Sequence, residues 1–216
     1  MTGMKRILII AAAAVAVAAV IFSCKDRKSE VQEETPSQPD TVLVGHSWTK
    51  VDPLDLELKP VANFSKDWMA LATGREKSYN AMTISWGGIG ELWGKPVVTV
   101  YVSADRASKR LMDENEYFTV TGFPPSAACK NALVYIGSHS MRDDPDKCAN
   151  AGLTVEFTDL GNPIFAEGRL AIECHKLYSA PFDLNRIPQD LREHLYGELA
   201  VHTMYIGEIV NVWEKQ

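Results

Sequence analysis

NAMTISWGGIGELWGKPVVTVYVSADRASKRLMDENEYFTV, residues 80–120, is the stretch that decides the fold. Met82 to Trp86 reads as a strand, broken by Gly87-Gly88. After Pro96, the continuous apolar run Val97 to Val102 suits a strand buried on both faces. Ser103-Ala104-Asp105 supplies N-cap candidates for a helix running to about Asn115. Tyr117 to Phe123 is a further strand, closed by Pro124-Pro125. The glycines of Gly87-Gly88-Ile89-Gly90-Glu91-Leu92-Trp93-Gly94 do not make a dinucleotide fingerprint. Trp93 takes the third glycine's place and no helix follows, so the segment reads as a glycine-bounded loop.

Outward from this stretch the same alternation continues. Phe64 to Ala72 reads as a strand ending at Thr73-Gly74. Ala128, Ala132 and Tyr135 fall at helical spacing before Gly137, and Asp146 to Ala151 makes a short helix stopped by Gly152. Leu153 to Phe157, Ile164 to Ala166 and Arg169 to Tyr178 read as strands, Pro188 to Tyr196 as a short helix, and Thr203 to Trp213 as the last strand. About eight strands with three or four short helices predict a mainly β chain (β+α), a closed barrel with helical decorations. Sustained βαβ repeats are missing, which argues against a doubly wound sheet.

Composition narrows the function classes. The chain of 216 residues has a formal charge of −6, so a nucleic-acid partner, which calls for a basic face, is not expected. The charge is also unevenly placed. Lys5-Arg6 precedes Ile7 to Phe22, sixteen residues without a polar side chain, and then Ser23-Cys24. This is a basic segment followed by an apolar one somewhat short of the roughly 20 residues that span a bilayer. Ile21-Phe22-Ser23-Cys24 resembles a bacterial lipobox, which implies a lipoprotein signal peptide over residues 1–23 and lipidation at Cys24. An uncleaved anchor helix is the alternative, and either places the domain outside the cytoplasm. Cleavage would leave 20 basic and 28 acidic residues, a charge of −8. Residues 24–40 are charged, with Pro36 and Pro39 and one large aliphatic, Val31, and read as a disordered tether to a domain at 41–216.

Few residues advertise catalysis. Cys129, Cys148 and Cys174 are an odd number for an exported domain, so at least one is a free thiol or bridges to another chain. Cys129 and Cys148 are near enough in sequence to pair, while Cys174 sits on the apolar face of a strand. His46, His139, His175, His194 and His202 form no metal-ligand spacing, and no nucleophile elbow is present, so no metal site is expected. What stands apart is Trp86 and Trp93 in the glycine loop, followed by Arg106, Ser108 and Lys109 opening a helix. A helix start with Arg and Ser is an anion site, and a planar ring can stack near a tryptophan. Phosphate plus planar ring is the shape of FMN. The ordinary structural alternative is tryptophans in the core and charges on a solvated helix face.

Residues 80–96 resemble the N-T-M-T-x-S-W-G-G-x-G-x-L-W-G-K-P pattern of the flavin reductase-like, flavoredoxin-type family, with Ala81 in place of Thr. Asn115 to Thr119, Ser138 to Asp143, Ala151 to Thr154, Glu173 to Tyr178 and His202 to Glu208 continue the likeness in order, from about Asp67 to Trp213. The resemblance implies a split β-barrel with short peripheral helices, FMN as cofactor and a homodimer. It also implies that Asn80, Met82, Thr83, Ser85 and Trp86 line the flavin, that Arg106 and Ser108 hold its phosphate with Lys109 beside them, and that His202 lies on the nicotinamide side. No side-chain acid or base is implied for hydride transfer. Ser103-Ala104 replaces the family's Arg-Pro, removing one phosphate charge; Ala107 replaces a Tyr, His139 a Lys and Met141 a Gly, and Asp144-Pro145 looks like an insertion.

The expected function is therefore an FMN-dependent oxidoreductase or electron-transfer protein, lipid-anchored in the cell envelope and facing the periplasm or cell surface. Nicotinamide cofactors are scarce outside the cytoplasm, which favours an unidentified redox protein over NAD(P)H as donor. The alternatives are a non-enzymatic binding or structural lipoprotein that keeps the fold and has weak or lost FMN binding, and a carrier of a flavin- or haem-related ligand.

Overall fold

The computed structural model describes residues 48–215; the expected signal, Cys24 and the tether lie outside the described residues. The strands are β1 (Thr49–Val51), β2 (Met69–Arg75), β3 (Ser78–Ile84), β4 (Gly87–Leu92), β5 (Lys95–Ser103), β6 (Tyr117–Gly122), β7 (Val155–Phe157), β8 (Pro163–Phe165), β9 (Leu170–Pro181) and β10 (His202–Glu214). The helices are α1 (Pro60–Ala62), α2 (Ala107–Glu114), α3 (Ala127–Ser138), α4 (Lys147–Asn150) and α5 (Gln189–Tyr196). None of these helices is long and apolar enough to cross a membrane.

One antiparallel sheet runs in the order β3-β2-β6-β9-β10-β5-β4, with β1 pairing the far half of β10, and β7 and β8 form a separate hairpin. The chain is thus a mainly β split barrel with short peripheral helices. The closed barrel expected from strand count is corrected: β3 and β4 end the path and do not pair, although only Ser85 and Trp86 separate them. The curl comes from β10, whose register with β9 shifts at Ile206/Gly207 and at Ile209/Asn211. Such bulges bend a strand and deepen its twist. At the first of them a side chain has no room, because a Cβ on Gly207 would lie 2.6 Å from the Phe118 ring and 2.8 Å from Cys174 Cβ.

Alternation along β2 explains how the layers stack. Met69 and Leu71 join Ile84, Val98, Val100, Phe118, Val120, Ile172 and Tyr205 inside the barrel. Ala70 and Ala72 face the other way, with Ala81, against Ala132, Leu133 and Ile136 of α3. Three alanines on that face let the helix lie close to the sheet. The approach is close at Gly137, where a Cβ would lie 3.1 Å from Thr83 Cβ. This brings the C-terminal end of α3 to β3, beside the start of α2.

Two local expectations fail for local reasons. Asn63–Asp67 is a π-helical turn and not the start of a strand, so β2 begins at Met69. The Asn63 side chain accepts from Lys59 N and the Ser65 hydroxyl donates to Val61 O, bonds that a strand cannot make. Trp68 then turns the chain at φ 64° into β2. Gly87-Gly88 does not break a strand either; it opens β4, and the break falls at Ser85-Trp86.

Candidate functional site

The turn from β5 into α2 has no conventional cap. Ser103 donates its hydroxyl to Ala200 O, and Arg106 takes the cap position without a side-chain bond to the helix. The N–H groups of Ala107 and Ser108 are therefore without a side-chain cap and carry partial positive charge, while Lys109 N donates to Arg106 O. The Arg106 guanidinium reaches across to the end of α3, donating to Gly137 O at 3.0 Å.

Between these two helix ends lies a polar cavity of about 140 Å³, lined by Asn80, Met82, Arg106, Ser108, Ser138 and Lys147 among others. At ~30 Å³ per water this is room for a group of a few heavy atoms. Asn80 is buried and donates from Nδ2 to Ser108 Oγ at 3.1 Å, while its Oδ1 accepts from Ala81 N. Because Ser108 Oγ already accepts a bond, its own proton is free to point into the cavity. Lys147 is 2% exposed, and its ammonium donates to His139 O at 3.0 Å and to Ile136 O at 3.4 Å. That leaves one of its three N–H groups for the cavity. Burial holds its pKa below the ordinary lysine value, and Arg106 nearby pushes the same way.

Met82, Asp105 and Arg106 are also walls of a second cavity, of about 210 Å³, lined from β3 and β5. Thr83, Ser85, Trp86, Tyr101, Leu199 and His202 are among its other walls. The Thr83 hydroxyl is spent on Leu133 O. The His202 ring lies 4.9 Å from Trp86 and 5.8 Å from Tyr196, centroid to centroid. Its Nδ1 is buried with no hydrogen-bond partner among the described residues. Burial lowers the His202 pKa below 6.5; Asp105 opposes and Arg106 reinforces that shift. The imidazole is therefore neutral near pH 7, with one polar atom unsatisfied beside an aromatic cavity.

The structure thus brings Asn80, Met82, Thr83, Ser85, Trp86, Arg106, Ser108 and His202 to two adjoining cavities. It corrects Lys109, which lines neither. One residue further round the helix than Ser108, Lys109 pairs at 2.5 Å with Asp113 and lies 5.8 Å from the Tyr205 ring centroid. Trp93 is also elsewhere, 69% exposed in the β4–β5 turn. The sequence reading missed Lys147, Tyr101 and Leu199. Lys147 is the only cation between Arg142 and Arg169, a weak signal beside Asp143, Asp144 and Asp146. Cys129, Cys148 and Cys174 are free thiols, with burial pushing Cys148 up to about 11 and also holding Cys174 well above the ordinary thiol value.

The sequence matches the family described as flavin reductase like domain over residues 62–216. Among solved structures, an FMN-binding domain of a flavin reductases-like enzyme from Shewanella baltica OS155 superposes with TM-score 0.55 at 17% identity, covering 78% of each chain. Flavoredoxin of Desulfovibrio vulgaris (Miyazaki F) gives 0.53 at 23%, covering 77% of each. Flavoredoxin from Methanosarcina acetivorans gives 0.55 at 18%, covering 69% of each. At these identities the likeness is one of fold. No curated protein matches the chain.

Proposed function

The chain belongs to the flavin reductase-like domain family, and from that membership we propose that its two adjoining cavities hold FMN. The observation that carries this is the shared wall of Met82, Asp105 and Arg106, with a twice-cationic polar cavity on one side and an aromatic one on the other. The donor set fits the cofactor. Arg106, Lys147, the Ser108 hydroxyl and the open N–H groups of α2 suit a phosphate. Trp86, Tyr101, Leu199 and His202 suit a planar ring with polar edges. Bound FMN would supply acceptance of a hydride or of electrons and their delivery to a second acceptor.

The chain's own residues bind and orient. Asn80 aims the Ser108 proton, and Lys147 restores the cationic charge lost where Ser103 stands in place of an arginine. Neutral His202 offers its unsatisfied Nδ1 to a group arriving at the ring cavity. The proposal extends to a homodimeric oxidoreductase or electron-transfer protein, anchored to the membrane through lipid on Cys24 and facing the periplasm or cell surface. There a redox protein supplies the electrons in preference to NAD(P)H. Support for the anchor is the apolar run Ile7 to Phe22 followed by Ser23-Cys24.

The visible spectrum of the purified full-length chain tests the reading. A yellow protein with the bands of bound flavin is expected; a colourless one that FMN does not reconstitute overturns it in favour of a flavin-free binding lipoprotein. Anaerobic NADH or NADPH should leave the colour largely unbleached, and rapid bleaching would make the nicotinamide the donor. Labelled palmitate should enter the chain and fail to enter Cys24→Ala.

A further inference from the structure

We propose a second ligand site at the opposite end of α3 from the phosphate cavity, one that takes an organic anion with an apolar body. The two cavities share no lining residue and draw on opposite ends of the twelve-residue α3, so the sites are distinct. The cavity there has about 630 Å³, several times the volume of either flavin cavity. That is within the 300–1,000 Å³ typical of small-molecule sites.

Its chemistry is divided. Phe123 and Leu133, 7% and 2% exposed, form an apolar floor flanked by Pro124 and Pro125. Lys66, Lys130 and Arg169 stand around it against one carboxylate, Asp67, which already accepts from Asn63 Nδ2 at 3.1 Å. A net positive cavity in a chain of charge −6 is a local reversal of sign. Two of the cations, Lys130 and Arg169, are also held in place. Lys130 Nζ lies 3.3 Å from the Trp68 ring centroid and donates to Lys66 O at 2.8 Å. Arg169 donates through Nε to Phe123 O at 3.2 Å, leaving its two terminal nitrogens without a hydrogen bond among the described residues. Those two nitrogens form the fork that pairs with a carboxylate or sulfonate.

Backbone irregularity converges on the same place. The π-helical turn Asn63–Asp67 supplies Lys66 and Asp67, and Trp68 beneath Lys130 adopts φ 64°, a left-handed conformation costly for a bulky residue. π-turns and strained residues collect at functional sites, where the surroundings hold them. The occupant that fits floor and rim together is an aromatic or branched carboxylate. Inorganic phosphate would leave the apolar floor unused.

The test is titration of the full chain with 8-anilinonaphthalene-1-sulfonate, with and without FMN. One saturable site is expected, unaffected by FMN, displaced by benzoate and not by benzyl alcohol. Lys130→Gln/Arg169→Gln should weaken it at least tenfold and leave FMN affinity unchanged, whereas Arg106→Ala should weaken FMN alone. Probe binding that survives in the double variant, or equal displacement by benzyl alcohol, is adventitious apolar binding and overturns the proposal. Should the double variant fold poorly, alkylation of half-buried Cys129 in the unaltered chain decides. Benzoate should slow its reaction with iodoacetamide, and an unchanged rate overturns the site.

Discussion

The Lys147 ammonium donates to the carbonyl oxygen of His139 at 3.0 Å, and the two residues line the same small cavity as Arg106. The short helix read from sequence at Asp146 to Ala151 therefore delivers a buried cation to the polar cavity. Burial disfavours the ammonium, and a bound phosphate dianion restores it. FMN affinity is expected to be greatest while Lys147 is protonated and to fall as pH rises through its lowered pKa, below 10.5. In Lys147→Met, affinity near pH 7 should drop about tenfold or more, and the alkaline fall should disappear. Flavin fluorescence quenching between pH 7 and 10 measures both.

Arg106 stands at the start of α2 and spends one nitrogen on Gly137 O. Arg106→Ala removes a charged donor worth about 1.5–3 kcal/mol, so the FMN dissociation constant should rise roughly 10- to 150-fold. Equilibrium dialysis against FMN checks this; unchanged affinity would put the phosphate elsewhere.

His202 should make the folded chain acid-sensitive. Its pKa is below 6.5 when folded, chiefly through burial, so between that lowered value and 6.5 the unfolded chain binds more protons. Stability is then complete above pH 6.5 and is lost as pH falls. Thermal melts from pH 5 to 8 should show a shallower acid decline for His202→Gln than for the unaltered chain.

At the β10 bulge, Gly207→Ala would place a methyl group 2.6 Å from the Phe118 ring and 2.8 Å from Cys174 Cβ. Overpacking of this kind costs about 1–3 kcal/mol. For a domain of this size that lowers Tm by roughly 2–12 °C, which calorimetry can read.

Leu92 and Lys95 are paired across a two-residue turn in which Trp93 and Gly94 have φ 57° and 74°. Two positive angles favour Asn-Gly, and the exposed Trp93 ring gains little burial in return. Trp93→Asn is expected to raise stability by about 0.5–1 kcal/mol, seen as a higher denaturant midpoint with an unchanged slope.

Much of the sheet is legible because its signals are local. Val97 to Val102 has the apolar run of a doubly buried strand, and β5 spans it. Ser103 to Asp105 mark the start of a helix to within a few residues, and α2 follows. The π-helical turn before β2 is not legible, because side-chain bonds from Asn63 and Ser65 overrule the apolar pattern around Phe64. Lys109 and Ser108 differ by one position, yet only packing says that Ser108 turns inward to Asn80 while Lys109 turns to Asp113.

By itself, then, the sequence determined that the chain is mainly β, and it pointed to residues 80–108 together with His202 as the candidate site. Periodicity, glycine placement and helix-start residues act over a few positions. The tertiary structure decided that the barrel splits between β3 and β4, that α3 ends against α2, and that Lys147 and His202 reach the cavities those junctions create. The second of these depends on a close backbone approach across a long sequence separation, for which Ala70 and Ala72 of the sheet and Gly137 of α3 leave room. Such closeness is a property of packed surfaces, and no short window of residues contains it.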